Sequence, residues 1–128
     1  MKPSRLVTTV VAGAVVVSLA QAQDFPTKAI TLTVPNPPGG MNQLHAQPLS
    51  TVLERMTGQP APVVTRPGAV AAAGTAYVVN QPPDGHNLLV TTANLHLAIE
   101  KDKLYGAKTP YSLNQIAFIA LFSADPII

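Results

Sequence analysis

The chain has no cysteine and no tryptophan, and only 5% of its 128 residues are aromatic and 11% charged. Without cysteine it can form no disulfide and no cysteine-ligated metal site, so an exported form would depend on its apolar core alone. A lipoprotein anchor is excluded for the same reason, because no cysteine follows the first apolar run. Lys and Arg form no cluster, so a nucleic-acid-binding surface is not expected.

The common catalytic patterns of α/β enzymes are also missing. There is no G-x-S-x-G nucleophile elbow, no H-E-x-x-H motif and no paired carboxylates. The three histidines, His45, His86 and His96, lack the spacing of metal ligands. We therefore expect neither an enzyme nor a metal or other cofactor. Reproducible turnover of generic esters would contradict this expectation.

The N-terminal residues 1–22 have the three parts of a secretory signal peptide. Lys2 and Arg5 form a short positive segment, residues 6–20 carry no charge, and Ala20-Gln21-Ala22 fits a small-x-small cleavage site. The uncharged run is shorter than the roughly 20 residues of a membrane-spanning helix. We therefore predict cleavage and a periplasmic location, with no stable membrane insertion afterwards. An uncleaved membrane anchor is the alternative.

Residues 23–128 form the mature chain of this prediction and are enough for one domain only. The whole chain carries eight basic and six acidic side chains. Two of the basic residues lie in the leader, so the mature chain is close to neutral. The basic isoelectric point of the whole chain is therefore due to the leader and does not indicate an acidic partner.

The mature chain alternates strand-like and helix-like runs, the pattern of an α/β layered fold. Strands are predicted at Ala29–Val34, Pro62–Thr65, within His86–Thr92 and at Ile116–Phe122. Helices are predicted at Met41–Thr57 and Val70–Val79, and Ala93–Asp102 is predicted to be a loop with a short helix. In the longest helix, which Gly58 ends, Pro48 removes a backbone donor at a cost of about 3 kcal/mol. We expect a kink there or a helix that starts near Pro48.

A proline- and glycine-rich loop, Pro37-Pro38-Gly39-Gly40, separates the first strand from this helix. In open α/β sheets, ligands bind outside the carboxyl ends of the strands. The N–H groups of Gly40, Met41 and Asn42 would begin the helix without intrahelical partners. Together with the helix dipole they would favour an anion such as a carboxylate. A rigid turn without a ligand is the alternative.

Four segments carry a resemblance to a known family. They are Phe25–Ile30, Val34–Gly40, Thr65–Ala69 and Pro82–Leu89, and a weaker likeness continues over Leu104–Tyr111 and Ile116–Ala120. In order and spacing they resemble the Bug (TctC-like) extracytoplasmic solute receptors of the tripartite tricarboxylate transporter family. The resemblance implies a two-lobed fold, like that of periplasmic binding proteins, which clamps small carboxylates between its lobes. The chain would form only part of the first lobe, over residues 23–128.

The resemblance therefore predicts an incomplete, Rossmann-like lobe with a mostly parallel sheet and flanking helices. It also predicts that small organic carboxylates are bound and delivered to inner-membrane permease subunits. The candidate ligand-binding residues lie in the glycine loop and after the third strand: Gly39, Gly40, Met41, Asn42, Gln43, Thr91, Thr92 and Asn94. A solvated position for Gln43 and local capping by the last three residues are alternatives.

A second interpretation is a non-functional fragment or the product of a decayed gene. The sequence ends on Asp125-Pro126-Ile127-Ile128, as if another strand had begun. It also departs from the family pattern, because Gln43 replaces an Asp, Val70–Ala73 delays a glycine, and Ser112–Gln115 lacks acidic residues. These departures bear on ligand identity more than on fold. For Arg66, a structural hydrogen bond to loop carbonyls is expected, with carboxylate pairing as the alternative.

Overall fold

The computed structural model describes residues 25–122, so the predicted signal peptide and residues 123–128 lie outside the described part. The elements, in chain order, are β1 (Thr31–Val34), α1 (Met41–Thr57), β2 (Val63–Thr65), α2 (Ala72–Val79), β3 (Asn87–Leu89), α3 (Asn94–Leu104) and a 3-10 turn (Leu113–Gln115). No helix within residues 25–122 has the length and apolar character needed to cross a membrane.

The three strands form one parallel sheet in the order β2-β1-β3. Val34 at the end of β1 pairs with Thr65 at the end of β2, and Thr33 pairs with Leu89 at the end of β3. Because all strands run the same way, the loops that follow them leave from one edge of the sheet. This arrangement confirms the predicted α/β class with a parallel sheet and flanking helices.

The central strand β1 is buried throughout Leu32, Thr33 and Val34. Burial of successive residues is typical of a parallel strand that is covered on both faces. One apolar cluster packs α1 against β1 and its neighbours, and a second joins α2, α3 and the segment after α3. The second cluster includes buried Tyr111, whose hydroxyl donates a hydrogen bond to the Leu95 carbonyl at 2.8 Å. Burial raises the pKa of this hydroxyl.

Helix α1 is continuous from Met41 to Thr57, so the expected alternative start near Pro48 is wrong. Pro48 is exposed, and so is Leu44, whose carbonyl loses the N–H partner that Pro48 cannot supply. Water can hydrate that carbonyl on an exposed face, which lowers the cost of a proline inside a helix. The predicted end is confirmed, because Gly58 is left-handed and its N–H donates to the Glu54 carbonyl at 2.9 Å.

Two other expectations need correction. The region predicted as a loop with a short helix is the helix α3. The strand predicted at Ile116–Phe122 does not form among the described residues, where the sheet has three strands. An apolar, β-branched run gives only a propensity, and a strand also needs a neighbour with which to pair.

The amino-terminal ends of β1 and β3 are joined by a polar clasp, made of Lys28, Asp84 and His86. The Lys28 ammonium lies 2.9 Å from the Asp84 carboxylate, which also accepts the His86 backbone N–H at 3.0 Å. These two donors lower the pKa of the Asp84 carboxyl from 3.8 to about 2. The Phe25 ring lies against the buried His86 ring, with centroids 4.9 Å apart. The clasp lies at the end of the sheet opposite the glycine loop.

Candidate ligand-binding site

The candidate site lies where the loops after β1 and β3 meet. In sheets that begin with the order 2-1-3, the switch point where ligands bind lies between β1 and β3. An open depression of about 510 Å³ occupies this position. The residues that line it come from both loops: Asn36, Pro37, Pro38, Gly39, Gly40, Met41, Asn42, Thr92 and Asn94. The two groups predicted from the sequence are therefore neighbours in space.

The first residues of helix α1 line this depression. Gly40 is its N-cap residue and is extended, with φ −80° and ψ 166°. Within residues 25–122, the N–H groups of Gly40, Met41 and Asn42 have no hydrogen-bond acceptor. The first turn of α1 contains no acidic side chain. Three free donors and the positive end of the helix dipole therefore favour a negatively charged group here.

Gln43 orders the glycine loop and does not line the depression. Its side-chain oxygen accepts the Gly39 N–H at 2.7 Å. The Gly39 donor, which was expected to face a ligand, is thus already satisfied within the chain. Gly39 still lines the depression, and its φ of 85° is a conformation that favours glycine. This hydrogen bond makes Gln43 a residue that positions the loop. That role differs from the two expected for Gln43, which were contact with a ligand and a solvated side chain.

Asn42 offers only its backbone N–H to the depression. Its side chain is buried and donates a hydrogen bond to the Asn36 side chain. Asn36 was missed by the sequence reasoning, although its position just before the proline pair was a signal for a loop-fixing residue. After β3, Thr92 and Asn94 line the depression, whereas Thr91 does not. The Thr91 hydroxyl is buried and has no hydrogen-bond partner among the described residues.

None of the residues that line the depression is charged. Within the described residues, no group of three or more His, Asp or Glu side chains is placed to hold a metal. The site therefore offers neutral donors, mainly backbone N–H groups, and no pair of groups arranged to move a proton. Such an arrangement can bind and orient an anion.

The loop after β2 is fixed by Arg66 and by the close approach of α2. The Arg66 guanidinium lies 3.6 Å from the centre of the Tyr77 ring, a cation–π contact, where hydrogen bonds to loop carbonyls were expected. Gly74 of α2 packs so tightly that an added Cβ would lie 2.6 Å from the Arg66 carbonyl and 2.7 Å from Pro35. The start of α2 is thus held against Pro35, the first residue after β1.

The same loop contains three consecutive left-handed residues other than glycine. The φ angles are 47° at Ala69, 55° at Val70 and 71° at Ala71. Left-handed backbone is unfavourable for residues with a Cβ, and most of all for a β-branched one. These positions overlap the stretch in which the family pattern has glycine. The departure that was noted in the sequence therefore appears in the structure as backbone strain.

Comparison with known protein sequences identifies the family of this chain. No family model matches the chain. Protein BugT of Bordetella pertussis is 31% identical over 102 residues, which are 77% of this chain and 31% of BugT. A UPF0065 protein of Pseudomonas sp. strain P51 is 32% identical over 87 residues, or 68% of this chain and 25% of that protein. The chain belongs to the Bug family. It spans no more than about a third of the length of these relatives.

Proposed function

We propose that this chain supplies one wall of a periplasmic receptor for small organic carboxylates. The observation that carries the proposal is the row of free N–H groups at Gly40, Met41 and Asn42, placed at the switch point of a parallel sheet. Membership of the Bug family supports the receptor class and argues against an enzyme. Delivery to a permease of the tripartite tricarboxylate type is the role that the family resemblance suggests.

A carboxylate matches the site in charge and in its hydrogen-bond acceptors. Each of its oxygens can accept two or more hydrogen bonds, and the three donors come from consecutive residues. Thr92 and Asn94 also line the depression and carry a hydroxyl and an amide for a second polar end of the ligand. The depression is open on one side, whereas binding pockets bury about 70–90% of a small ligand. We therefore expect millimolar affinity from this wall alone.

The decisive variant is Met41→Pro, which removes one donor and preserves the helix. Proline is favoured at the first helical position, and Gly40 before it already has the extended backbone that precedes proline. Met41→Ala is the matched control, since it removes the same side chain but retains the N–H. A hydrogen bond to a charged group contributes about 1.5–3 kcal/mol. Met41→Pro should therefore weaken binding roughly 10- to 150-fold, and Met41→Ala should change it little.

The measurement is an NMR titration of the amides around the depression with succinate, and with succinamide as the neutral counterpart. We expect succinate alone to shift the amide signals of Gly40 and Asn42, and to lose this effect in Met41→Pro. Equal responses to both compounds, or equal losses in both variants, would contradict carboxylate capture by backbone donors. The absence of any response in the parent chain would favour the alternative, a non-functional fragment.

Export is a separate part of the proposal. The intact mass of the protein recovered from the periplasm of its host tests it directly. A mass that corresponds to a start at Gln23 would support cleavage after Ala22. Recovery of the uncleaved protein from the membrane fraction would contradict it.

A further inference from the structure

The glycine loop and the first residue of α1 give the depression an apolar side. Pro37, Pro38 and Met41 all line the depression and are all exposed, and Met41 is 63% exposed. Single exposed apolar residues are common on protein surfaces, but several of them together in a concave site are typical of a ligand-binding surface. We call these three residues the apolar platform.

The polar side chains beside the apolar platform are engaged within the chain. The buried Asn42 side chain donates a hydrogen bond to the Asn36 side chain. The Gln43 side-chain oxygen accepts the Gly39 N–H at 2.7 Å. This side of the depression therefore offers a ligand free backbone N–H groups and apolar surface, with few side-chain hydrogen bonds.

The apolar platform is held in place before any ligand binds. The rings of Pro37 and Pro38 fix the backbone φ angle at both positions. The hydrogen bond from Gly39 to Gln43 ties the loop to the first turn of α1, where Met41 is the first residue. A surface that is already ordered loses little conformational freedom on binding, so more of the contact contributes to affinity.

Met41 belongs both to the row of free N–H groups and to the apolar platform, because its backbone N–H has no acceptor and its residue lines the depression. An anionic group bound at the N–H groups thus has apolar surface next to it. A second charged group placed on that surface would lose hydration without gaining a donor. An apolar ring would gain contacts with the proline rings and with the polarisable thioether.

We propose that the ligand is a carboxylate that carries an apolar ring, with its carboxylate at the free N–H groups and its ring on the apolar platform. The depression of about 510 Å³ lies within the usual range of roughly 300–1,000 Å³ for ligand pockets, so a ring can be accommodated. This inference rests on the proposed capture of carboxylates and adds the nature of the rest of the ligand.

The experiment is an NMR titration of the full chain, labelled with ¹³C at its methionine methyl groups, with acetate, benzoate and benzamide. Acetate and benzoate carry the same charged group and differ in the ring. We expect benzoate to bind roughly tenfold more tightly, because a ring that removes about 60 Å² of apolar surface from water contributes about that factor. The ring should also shift the Met41 methyl signal upfield. Met56, at the other end of α1, is the internal control, and its methyl signal should not move.

Met41→Gln replaces the thioether with a polar side chain of similar length and retains the backbone N–H. Leu44→Gln is the matched control, because Leu44 is 61% exposed on the same helix and does not line the depression. The preference for benzoate over acetate should fall about threefold or more in Met41→Gln. It should keep the value of the parent chain in Leu44→Gln.

The outcomes separate this inference from the carboxylate capture on which it rests. Equal affinities of the parent chain for acetate and benzoate would overturn the inference and leave carboxylate capture in place. An unchanged preference in Met41→Gln, or an unmoved Met41 methyl signal, would overturn the position of the ring on the apolar platform. Equal binding of benzoate and benzamide without any binding of acetate would instead contradict carboxylate capture. The absence of any response to the three compounds would overturn both.

Discussion

The left-handed turn before α2 allows a prediction in which the same substitution has opposite effects at two nearby positions. Ala69 has a φ of 47° and is exposed, so its methyl group contributes strain and little packing. Ala73 is exposed as well, but it is the second residue of α2, where the backbone is helical. We expect Ala69→Gly to stabilise the protein and Ala73→Gly to destabilise it.

The magnitudes follow from backbone conformation. Left-handed backbone costs about 1–2 kcal/mol for a residue with a Cβ. Glycine relieves this strain at Ala69 but adds about 0.4–1 kcal/mol of chain entropy in the unfolded state. The net gain should be about 0.5–1 kcal/mol in the free energy of unfolding. At Ala73 there is no strain to relieve, so Ala73→Gly should cost about 0.5–1 kcal/mol. The two variants should thus differ by about 1–2 kcal/mol.

Urea denaturation of the parent and both variants, followed by circular dichroism, measures these differences. For a domain of this size, 1 kcal/mol corresponds to a change of about 4–8 °C in Tm, so thermal melts give a second measure. A loss of stability at Ala69→Gly as large as that at Ala73→Gly would refute the argument. It would show that Ala69 does not experience left-handed strain in the folded protein.

Two further predictions concern the ends of the sheet. The pKa of Asp84 is lowered from 3.8 to about 2, so the clasp stabilises the fold above pH 3.8 and this contribution is lost as the pH falls toward 2. Urea midpoints between pH 5 and pH 2 should therefore fall more for the parent than for Asp84→Asn, and equal slopes would contradict the clasp. At the other end, Gly74→Ala forces a Cβ to within 2.6 Å of the Arg66 carbonyl and should cost about 1–3 kcal/mol in urea denaturation. A gain in stability, as expected for alanine in an unconstrained helix, would show that α2 does not pack closely there.

The parts of the fold that could be predicted from sequence depend on local patterns. The run Thr31–Val34 is β-branched and apolar, and β1 forms there. Gly58 was recognised as a helix end because glycine is suited to the left-handed backbone that it adopts. The free N–H groups at the start of α1 follow from helix geometry alone. The shared sheet edge of the glycine loop and Thr92 follows from parallel pairing, once strands are assigned.

The features that were missed depend on contacts between distant residues. The stacking of Arg66 on Tyr77 and the ion pair of Lys28 with Asp84 join different elements, and no local pattern specifies them. The strand expected at Ile116–Phe122 failed for a similar reason. Its residues have the composition of a strand, but pairing needs a neighbour, and the described residues provide none.

The segments that carry the family resemblance are divided between the two ends of the sheet. Phe25–Ile30 and Pro82–Leu89 meet at the clasp, where Lys28 and Asp84 pair, so they stabilise the fold at a distance from the depression. Only the segment that ends in Pro37–Gly40 lines the depression itself. Changes in the two segments that meet at the clasp should therefore alter stability, and changes in the glycine loop should alter ligand preference.

Gln43 shows how a departure from the family pattern can retain one function of a residue and change another. Its side-chain oxygen accepts the Gly39 N–H, as a carboxylate oxygen could, so the loop is held without a charge. A carboxylate in the first turn of α1 would stabilise the helix by about 0.3–1 kcal/mol through the helix dipole. The same negative charge would repel an anion bound at the free N–H groups of Gly40 and Met41. Neutral Gln43 therefore gives up helix stability and leaves the positive end of α1 available to an anionic ligand.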